Sequence, residues 1–424
     1  MEKYVINGGR KLSGKLRVES AKNSVLPILA GAILTKDTVV IRDCPKISDV
    51  YSMMNILTVL GVKTRFENND LIVDSKDIND YVISSSLAKQ LRSSIFMMGA
   101  LVSRMKRAEL SFPGGCNIGA RPIDIHLKGL KELGVHVLEE KDEIKCYAQK
   151  ITGKKILLNF PSVGATENLM LASVLAEGKT EIHNPAKEPE IVDLMNFLNT
   201  MGAKVYGAGT STILIEGVKK LHGTDYKPIS DRIEAGTYLL ATAITGGEIE
   251  LSNCNAKNIW SLIHKLCDNT CKICIKDDII YIKCGGRRKA FSFTTGPYPF
   301  FSTDLQAQTM ALLTVSDGES VVTENVFEKR YTHVNELVKM GAKISVKGRT
   351  AVVNGVKVLN GANVVAKDLR GGASLVLAGL NAQGTTVVDN IHHVKRGYLD
   401  MDKKLCALGA DIKTVNEERV TNET

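Results

Sequence analysis

Apolar residues recur along the chain in six short blocks at helical spacing, each followed by a turn and a β-rich run. The blocks are LAGAIL (29–34), MMGALV (97–102), LASVLA (171–176), LLATAI (239–244), MALLTV (310–315) and LVLAGL (375–380). The runs after them, such as 38–41 and 320–322, are rich in β-branched residues. The blocks predict buried helices and the runs predict strands, which indicates an α/β protein.

A recurring glycine tag sets the period of this pattern. The tag is an apolar residue, a glycine and a small apolar residue, and its glycines are Gly61, Gly134, Gly202, Gly341 and Gly409. They lie about 70 residues apart, with one gap of about twice that length, which predicts a decayed copy at 268–272. Each tag follows an apolar helix, where glycine accepts the left-handed backbone. We therefore expect six units of helix, strand, loop, helix, glycine turn, strand and strand.

Six such units can stack as one solenoid or form two bodies of three units. A solenoid should show distinct capping repeats and a tighter period. The polar, lysine-rich stretch 217–230 near the middle is the candidate boundary. We expect one domain over 22–229 and a second over 1–21 plus 230–424. The N-terminal strand 3–7 has no helix of its own and is expected to complete the last unit.

The first helices of the six units begin at equivalent positions that are rich in cations. Their opening turns contain Lys22–Asn23, Arg92, Ser162–Gly164, Arg232, Asp304 and Arg370. A cation in the first turn opposes the helix dipole, whereas backbone N–H groups together with a cation bind anions. Four cations in register favour a positively charged cleft for an anionic substrate. The alternative is that each cation reaches sideways to a carboxylate.

Asp304 is the one carboxylate among these helix starts, and two interpretations of it stay open. An aspartate there can cap its helix, which contributes about 1 kcal/mol. It can also act as a general base inside the positive cleft.

The loop 112–124 interrupts the repeat. It contains three glycines, two prolines, the thiol of Cys116 and, near its end, Arg121. A thiol beside cations has a depressed pKa and can react or donate a proton. A structural cysteine is the alternative, although the neighbouring residues include few apolar ones. We predict a mobile loop with a functional thiol.

Three other groups have residue types that bind metals or anions. Cys267, Cys271, Cys274 and Cys284 have the residue type for a zinc site. However, Cys271 falls in the decayed tag and Cys274 in the strand after it, so structural thiols are predicted instead. His392–His393 lacks a second cluster at ligand spacing, and no metal is predicted. The basic pair Lys395–Arg396 belongs either to the cleft or to a solvated loop.

Composition narrows the choice of partners. The chain has 55 Lys and Arg against 46 Asp and Glu, a net charge of +9, which suits an anionic ligand. Aromatic residues make up only 5%, which argues against a base-stacking nucleic-acid surface. No membrane span or signal peptide is predicted, so we expect a cytoplasmic protein whose nine cysteines are thiols.

Ten stretches in order resemble the enolpyruvyl transferases. They include SAKNSVLPILAGAIL, LRSSIFMMGALV, FPGGCNIGARPIDIHL, PSVGATENLMLAS, NPAKEPEIVDL, SDRIEAGTYL, STDLQAQTMALL, ENVFEKRYTHVNEL, DLRGGASLVLAGL and DNIHHVKRGY, between residues 20 and 398. The resemblance implies a two-domain inside-out α/β barrel of six βα repeats, with helices inside and sheets outside. The 22–229 domain would include the cysteine loop at about 111–122.

The resemblance is to the branch of this family whose acceptor is UDP-N-acetylglucosamine. It implies transfer of enolpyruvyl from phosphoenolpyruvate to the 3′-hydroxyl of that sugar, with release of phosphate through a tetrahedral ketal, as the first committed step of peptidoglycan synthesis. No metal or organic cofactor, nucleic acid or membrane is implied. Sensitivity to fosfomycin, which alkylates the loop thiol, is also implied.

The resemblance assigns roles to residues of both predicted domains. Cys116 would be the general acid, or a group that bonds covalently to C2 of phosphoenolpyruvate, and Asp304 would be the base. Lys22, Arg121 and Arg396 would bind the phosphoenolpyruvate anions. Arg330 and Arg370 would lie nearby, and Asn23 would contact the sugar or the intermediate. The UDP-sugar site would be lined by Arg92, Arg121, Pro122, Ile123, Asp124, Ile125, Ser162, Val163, Gly164, Asp304 and Val326.

Three alternatives remain at this point. The first is the sister enzyme of the shikimate pathway, whose acceptor is a shikimate phosphate. The second is a non-catalytic nucleotide-sugar sensor on the same scaffold. The third, a basic repeat protein that binds RNA, is disfavoured because the chain has no dense basic tract.

Overall fold

The computed structural model describes residues 2–112, 114, 118–119, 122–267 and 271–416. Within these residues the chain divides into two compact units. The first unit contains residues 20–112, 114 and 122–229. The second unit contains residues 2–19, 118–119, 230–267 and 271–416.

Short strands and helices alternate through both units. The strands are β1 (Glu2–Asn7), β2 (Ser13–Arg17), β3 (Val39–Ile41), β4 (Lys63–Glu67), β5 (Asp70–Asp74), β6 (Val82–Ile83), β7 (Arg107–Ser111), β8 (His136–Glu139), β9 (Glu143–Tyr147), β10 (Lys155–Leu157), β11 (Lys179–His183), β12 (Lys204–Tyr206), β13 (Thr212–Glu216), β14 (Asp225–Tyr226), β15 (Glu248–Ser252), β16 (Cys271–Lys276), β17 (Ile279–Cys284), β18 (Phe293–Thr294), β19 (Glu319–Thr323), β20 (Lys343–Lys347), β21 (Thr350–Asn354), β22 (Asn363–Val365), β23 (Thr385–Asp389) and β24 (Asp411–Asn416). The helices are α1 (Lys22–Gly31), α2 (Ser48–Val59), α3 (Ser85–Gln90), α4 (Phe96–Met105), α5 (Asp124–Glu132), α6 (Val163–Ser173), α7 (Pro189–Thr200), α8 (Arg232–Thr245), α9 (Trp260–Cys267), α10 (Gln306–Leu313), α11 (Val334–Lys339), α12 (Leu369–Asn381), α13 (His392–Lys395) and α14 (Met401–Ala407). In the parts of the chain that the structure describes, no helix has the length and apolar character needed to cross a membrane.

The described strands form six four-stranded sheets with one shared topology. The first unit has the strand orders β14-β3-β5-β4, β6-β7-β9-β8 and β10-β11-β13-β12, and the second unit has β2-β15-β17-β16, β18-β19-β21-β20 and β22-β23-β1-β24. In each sheet the first two strands are parallel and the later pairs are antiparallel, as in β6, β7 and β9. Six sheets of one design confirm the predicted sixfold repeat.

The N-terminal strand belongs to the last repeat. Strand β1 lies between β23 and β24 and is antiparallel to both, with Tyr4 opposite Val388 and Thr414. The prediction that this strand completes the last unit is therefore confirmed.

Each unit has three buried helices at its centre. Helices α1, α4 and α6 pack together in the first unit, and α8, α10 and α12 pack together in the second. Each of the six apolar blocks begins inside one of these helices, and every residue of α10 is buried. A helix that is buried on all sides needs apolar neighbours all round, which the sheets supply from outside. The helices-inside, sheets-outside arrangement confirms the predicted fold class.

Glycines allow both the turns and the close helix packing. Gly61, Gly134, Gly202, Gly341 and Gly409 have φ between +88° and +94°, the left-handed region that a side chain disfavours. Most of the predicted sixth copy, at 268–270, lies outside the described residues.

The expectation that all the cysteines are free thiols is wrong for one pair. Cys271 and Cys284 form a disulfide. They stand directly opposite each other on the antiparallel strands β16 and β17, with Cα atoms 4.4 Å apart, which is within the range for a disulfide. Cys267 and Cys274 are free thiols, and no group of three or more metal-ligand side chains occurs within the described ranges.

Candidate active site

In the first unit, the cation at the start of α1 is paired with a buried carboxylate. Lys22 is the first residue of α1, and its Nζ lies 2.7 Å from Asp49 Oδ2 on α2. The two side chains are 12% and 4% exposed. Asn23 follows in the same helical turn. For Lys22, the sideways carboxylate that the sequence left open as an alternative is therefore present.

The other two helix starts of the first unit lead into helices that a buried asparagine joins. Arg92 begins a short 3-10 turn that leads into α4. Ser162 caps α6, where its Oγ accepts a hydrogen bond from the Ala165 N–H at 3.3 Å. Asn168 of α6 accepts the Gly99 N–H of α4 at 2.6 Å and contacts His126 of α5 at 3.1 Å. This side chain fixes α4, α5 and α6 relative to one another.

Close packing of these helices depends on glycines, which have no side chain. A β-carbon on Gly99 would lie 2.2 Å from the Asn168 carbonyl oxygen. A β-carbon on Gly164 would lie 3.2 Å from the His126 ring. Val163, the residue before Gly164, is the first residue of α6. The segment Ser162–Gly164 is therefore held by the packing of three helices.

The segment after the cysteine loop begins α5. Pro122 and Ile123 precede Asp124, the first residue of the helix. Asp124 and Ile125 line a cavity of about 240 Å³ together with β10 residues such as Leu157. The predicted residues Cys116 and Arg121 lie outside the described residues.

In the second unit, Asp304 is held by two buried arginines. Its Oδ1 accepts a hydrogen bond from Arg330 Nη2 at 2.9 Å, and its Oδ2 accepts one from Arg370 Nη2 at 3.0 Å. The arginine side chains are 3% and 4% exposed, and that of Asp304 is 25% exposed. The hydroxyl of Ser302, rather than the Asp304 carboxylate, accepts the N–H at this helix start, at 3.2 Å. Ser302 is therefore the N-cap of this 3-10 turn, and Asp304 lies inside its first turn.

Arg370 lies in the first turn of α12, where an aspartate offsets its charge. Asp368 caps the helix and accepts the N–H groups of Arg370 and Gly371, each at 3.0 Å. Burial acts to raise the pKa of Asp368, but Arg330, the Gly371 N–H and the Thr332 hydroxyl together hold it below its usual value. Burial likewise acts to lower the pKa of Arg370, but Asp304, Tyr398 and Asp231 together outweigh it and raise that pKa.

Val326 lies in a loop organised by a buried glutamate. Glu324 Oε1 accepts the N–H groups of Val326 and Phe327 at 2.9 and 3.1 Å, and the Thr295 hydroxyl at 2.8 Å. Its Oε2 accepts the Thr303 hydroxyl at 2.9 Å, next to Asp304. One carboxylate thus connects the Val326 loop to the start of the 3-10 turn that contains Asp304.

The basic pair after β23 divides between two environments. Lys395 is paired with Glu2, with Nζ 2.7 Å from Oε2. Arg396 follows at the end of α13 and is only partly exposed. The rings of His392 and His393 lie tilted against each other, with centroids 4.1 Å apart.

Several residues that shape the site were not identified from the sequence. Glu324 and Tyr398 have no local signature, because their partners are distant in the chain. Asp368 could have been identified, since an aspartate just before a helix predicts an N-cap. Asp231, which caps α8 before Arg232, follows the same rule.

Comparison with known proteins places this chain in a family. Residues 6–405 match the family model of EPSP synthase (3-phosphoshikimate 1-carboxyvinyltransferase). The chain is 52% identical to UDP-N-acetylglucosamine 1-carboxyvinyltransferase 2 of Caldanaerobacter subterraneus subsp. tengcongensis, over 97% of this chain and 99% of the relative. It is 47% identical to the protein of the same name from Carboxydothermus hydrogenoformans, over 98% and 100%.

Solved structures agree on the fold. The enolpyruvyl transferase NikO from Streptomyces tendae superposes with a TM-score of 0.88 at 24% identity, over 98% of this chain and 99% of that one. An EPSP synthase from Acinetobacter baumannii gives 0.76 at 17% identity, over 98% and 100%. The full-length identity to its curated relatives, together with the shared fold, shows that the chain belongs to the UDP-N-acetylglucosamine 1-carboxyvinyltransferase family of enolpyruvyl transferases.

Proposed function

We propose that the protein transfers the enolpyruvyl group of phosphoenolpyruvate to the 3′-hydroxyl of UDP-N-acetylglucosamine and releases phosphate. The observation that supports this acceptor is the 52% identity, over nearly the full length, to a relative named for it. The A. baumannii EPSP synthase is only 17% identical. The reaction is the first committed step of peptidoglycan synthesis. Both substrates are phosphorylated metabolites of the cytoplasm, which is the proposed location.

The charges of the described residues suit this chemistry. Phosphoenolpyruvate has a phosphate and a carboxylate, and Lys22, Arg370 and Arg396 are proposed to bind such anions together with Arg121. Helix starts with a cation supply both N–H donors and positive charge. Fixed cations stabilise developing charge without the reorganisation that water would need.

Asp304 is the proposed base for the sugar hydroxyl. Its two oxygens accept guanidinium N–H groups from Arg330 and Arg370. A carboxylate oxygen can accept a second hydrogen bond. The partly exposed Asp304 can therefore receive the 3′-hydroxyl while both arginines keep its orientation.

The reaction proceeds by addition and elimination. Cys116 donates a proton to C3 of phosphoenolpyruvate, the sugar oxygen attacks C2, and Asp304 takes the hydroxyl proton. The tetrahedral ketal then loses a C3 proton and phosphate, which leaves the enolpyruvyl ether. The segments Arg92, Pro122–Ile125, Ser162–Gly164 and Val326 are proposed to hold the UDP-sugar, with Asn23 near the sugar or the intermediate.

Phosphate release from phosphoenolpyruvate tests this proposal. We expect release that requires UDP-N-acetylglucosamine and is lost in Cys116→Ala. Cys274→Ala, which removes an exposed free thiol from β16, is the matched control and should keep full activity. Release that requires shikimate 3-phosphate instead would make this the sister enzyme. Tight UDP-sugar binding without release would indicate a sensor.

A further inference from the structure

A fully buried hydrogen-bond network lies behind Arg370 in the second unit. The Tyr398 hydroxyl accepts hydrogen bonds from Arg370 Nη1 and from Gln308 Nε2, each at 3.1 Å. It also lies 2.8 Å from Thr237 Oγ1. Gln308 Nε2 further contacts Thr237 Oγ1 at 3.2 Å and the Asp304 carbonyl at 2.9 Å. Four helical segments, α8, α10, α12 and the residues after α13, meet at this hydroxyl.

The directions of these hydrogen bonds follow from the inventory of donors. A tyrosine hydroxyl has one proton and two lone pairs. Because the nitrogens of Arg370 and Gln308 cannot accept, the Tyr398 proton points to Thr237. Thr237 in turn donates to the Ile233 carbonyl at 2.8 Å. The network therefore has one direction, from Arg370 through Tyr398 and Thr237 to the backbone of α8.

Arg370 is consequently fixed at both ends of its guanidinium. Nη1 is held by Tyr398, and Nη2 donates to Asp304 Oδ2 at 3.0 Å. The guanidinium also lies over the Tyr398 ring, 5.5 Å from its centroid. Because the guanidinium is planar, holding Nη1 sets the direction of Nη2.

We propose that Tyr398, supported by Thr237 and Gln308, is a positioning residue that orients Arg370 and through it the Asp304 carboxylate for proton transfer. Tyr398 does not touch Asp304 by a hydrogen bond and acts only through its neighbours. The proposal rests on the proposed function, in which Asp304 takes the proton of the acceptor hydroxyl.

Tyr398→Phe keeps the ring and removes the hydroxyl. We expect kcat for enolpyruvyl transfer to fall by about tenfold or more, because misorientation of a reacting group is costly. KM for UDP-N-acetylglucosamine should change by less than about threefold, since the UDP-binding segments are untouched. If the variant is partly unfolded, the fraction of active enzyme falls. Titration of the active sites measures that fraction, so that kcat can be corrected for it.

Tyr238→Phe is the matched control within the same core. Tyr238 lies next to Thr237 on α8 and is fully buried, and its hydroxyl has no hydrogen-bond partner among the described residues. Its removal should leave kcat within about twofold of the wild type. If Tyr398→Phe gives the same kcat as Tyr238→Phe in an active enzyme, the positioning role is refuted.

A second measurement does not depend on activity. Thermal midpoints of Tyr398→Phe, Asp304→Asn and the double variant form a double-mutant cycle. Because Tyr398 acts on Asp304 through Arg370, the double variant should lose less than the sum of the two single shifts. Additive shifts overturn the proposal. If the wild type shows no enolpyruvyl transfer but the thermal shifts are non-additive, the proposed function is refuted while the coupling between Tyr398 and Asp304 stands.

Discussion

Replacing the buried glutamate under the Val326 loop should weaken both the fold and the proposed UDP-sugar site. Glu324 is fully buried and accepts hydrogen bonds from two backbone N–H groups and from the hydroxyls of Thr295 and Thr303. Glu324→Gln keeps the shape and removes the charge. A hydrogen bond to a charged acceptor contributes about 1.5–3 kcal/mol, and a neutral one about 0.5–1.5 kcal/mol. Four bonds weakened by about 1 kcal/mol each would cost about 4 kcal/mol, and relief of the buried charge offsets part of this.

We expect a net loss of about 2 kcal/mol in the free energy of unfolding. Trp260, the single tryptophan, lies in the second unit together with Glu324, so its fluorescence during urea unfolding reports the relevant unit. KM for UDP-N-acetylglucosamine should rise by about fivefold, because the Val326 loop loses its anchor.

The matched control for this experiment is Glu319→Gln. Glu319 is the first residue of β19, the strand that ends just before Glu324, and it is exposed, so its replacement makes the same change of charge without the buried hydrogen bonds. Surface substitutions of this kind change stability by less than about 0.5 kcal/mol. Equal unfolding midpoints for the two variants, with an unchanged KM, would refute the anchoring role of Glu324.

Three further outcomes are expected. Burial lowers the pKa of His333 to about 4, so between that pH and about 6.5 the unfolded chain binds more protons than the folded one, and stability falls as the pH drops. Between pH 7 and pH 5 the free energy of unfolding should fall by about 2 kcal/mol from this group, and His333→Gln should abolish that loss in the same fluorescence assay. An equal pH response of the two proteins would contradict this prediction. Replacing Cys271 and Cys284 together by alanine should lower stability by about 3 kcal/mol, because the bridge closes a loop in the unfolded chain. The kcat should stay unchanged, because neither cysteine contributes to the proposed site, and unchanged denaturation midpoints would argue against the bridge. Fosfomycin should add one label to the protein, as measured by intact mass. Cys116→Ser should abolish the label, whereas Cys274→Ala should retain it. Labelling of the serine variant would exclude Cys116 as the target.

The repeat architecture could be predicted because its signals are local. An apolar block predicts each central helix, and a glycine such as Gly61, with φ of +88°, ends each second helix. These signals lie within a few residues of the elements they specify. The helix-start positions of Lys22 and Arg370 followed from the same alignment of repeats.

The partners of the site residues could not be predicted in this way. Lys22 pairs with Asp49 on another helix, and Arg330 and Arg370 meet on Asp304 from different segments. Such pairs depend on packing between elements, for which a single sequence holds no local signal. The Cys271–Cys284 bridge was missed for a related reason, since it depends on the register of β16 against β17.

The helix starts of this fold explain why costly charges persist at equivalent positions of the repeat. A cation in a first turn opposes the helix dipole, so a carboxylate nearby is needed to stabilise it. Arg232 directly follows its capping aspartate, Asp231, and Arg370 lies two residues after the capping Asp368. Lys22 follows Ala21, which supplies no side-chain cap, and is stabilised instead by Asp49 from α2. Each of these three cations thus has a carboxylate close by, while the helix N–H groups beside it remain suited to anions. An arrangement that breaks a local rule and is compensated at three copies of the repeat is typical of selection for function rather than for stability.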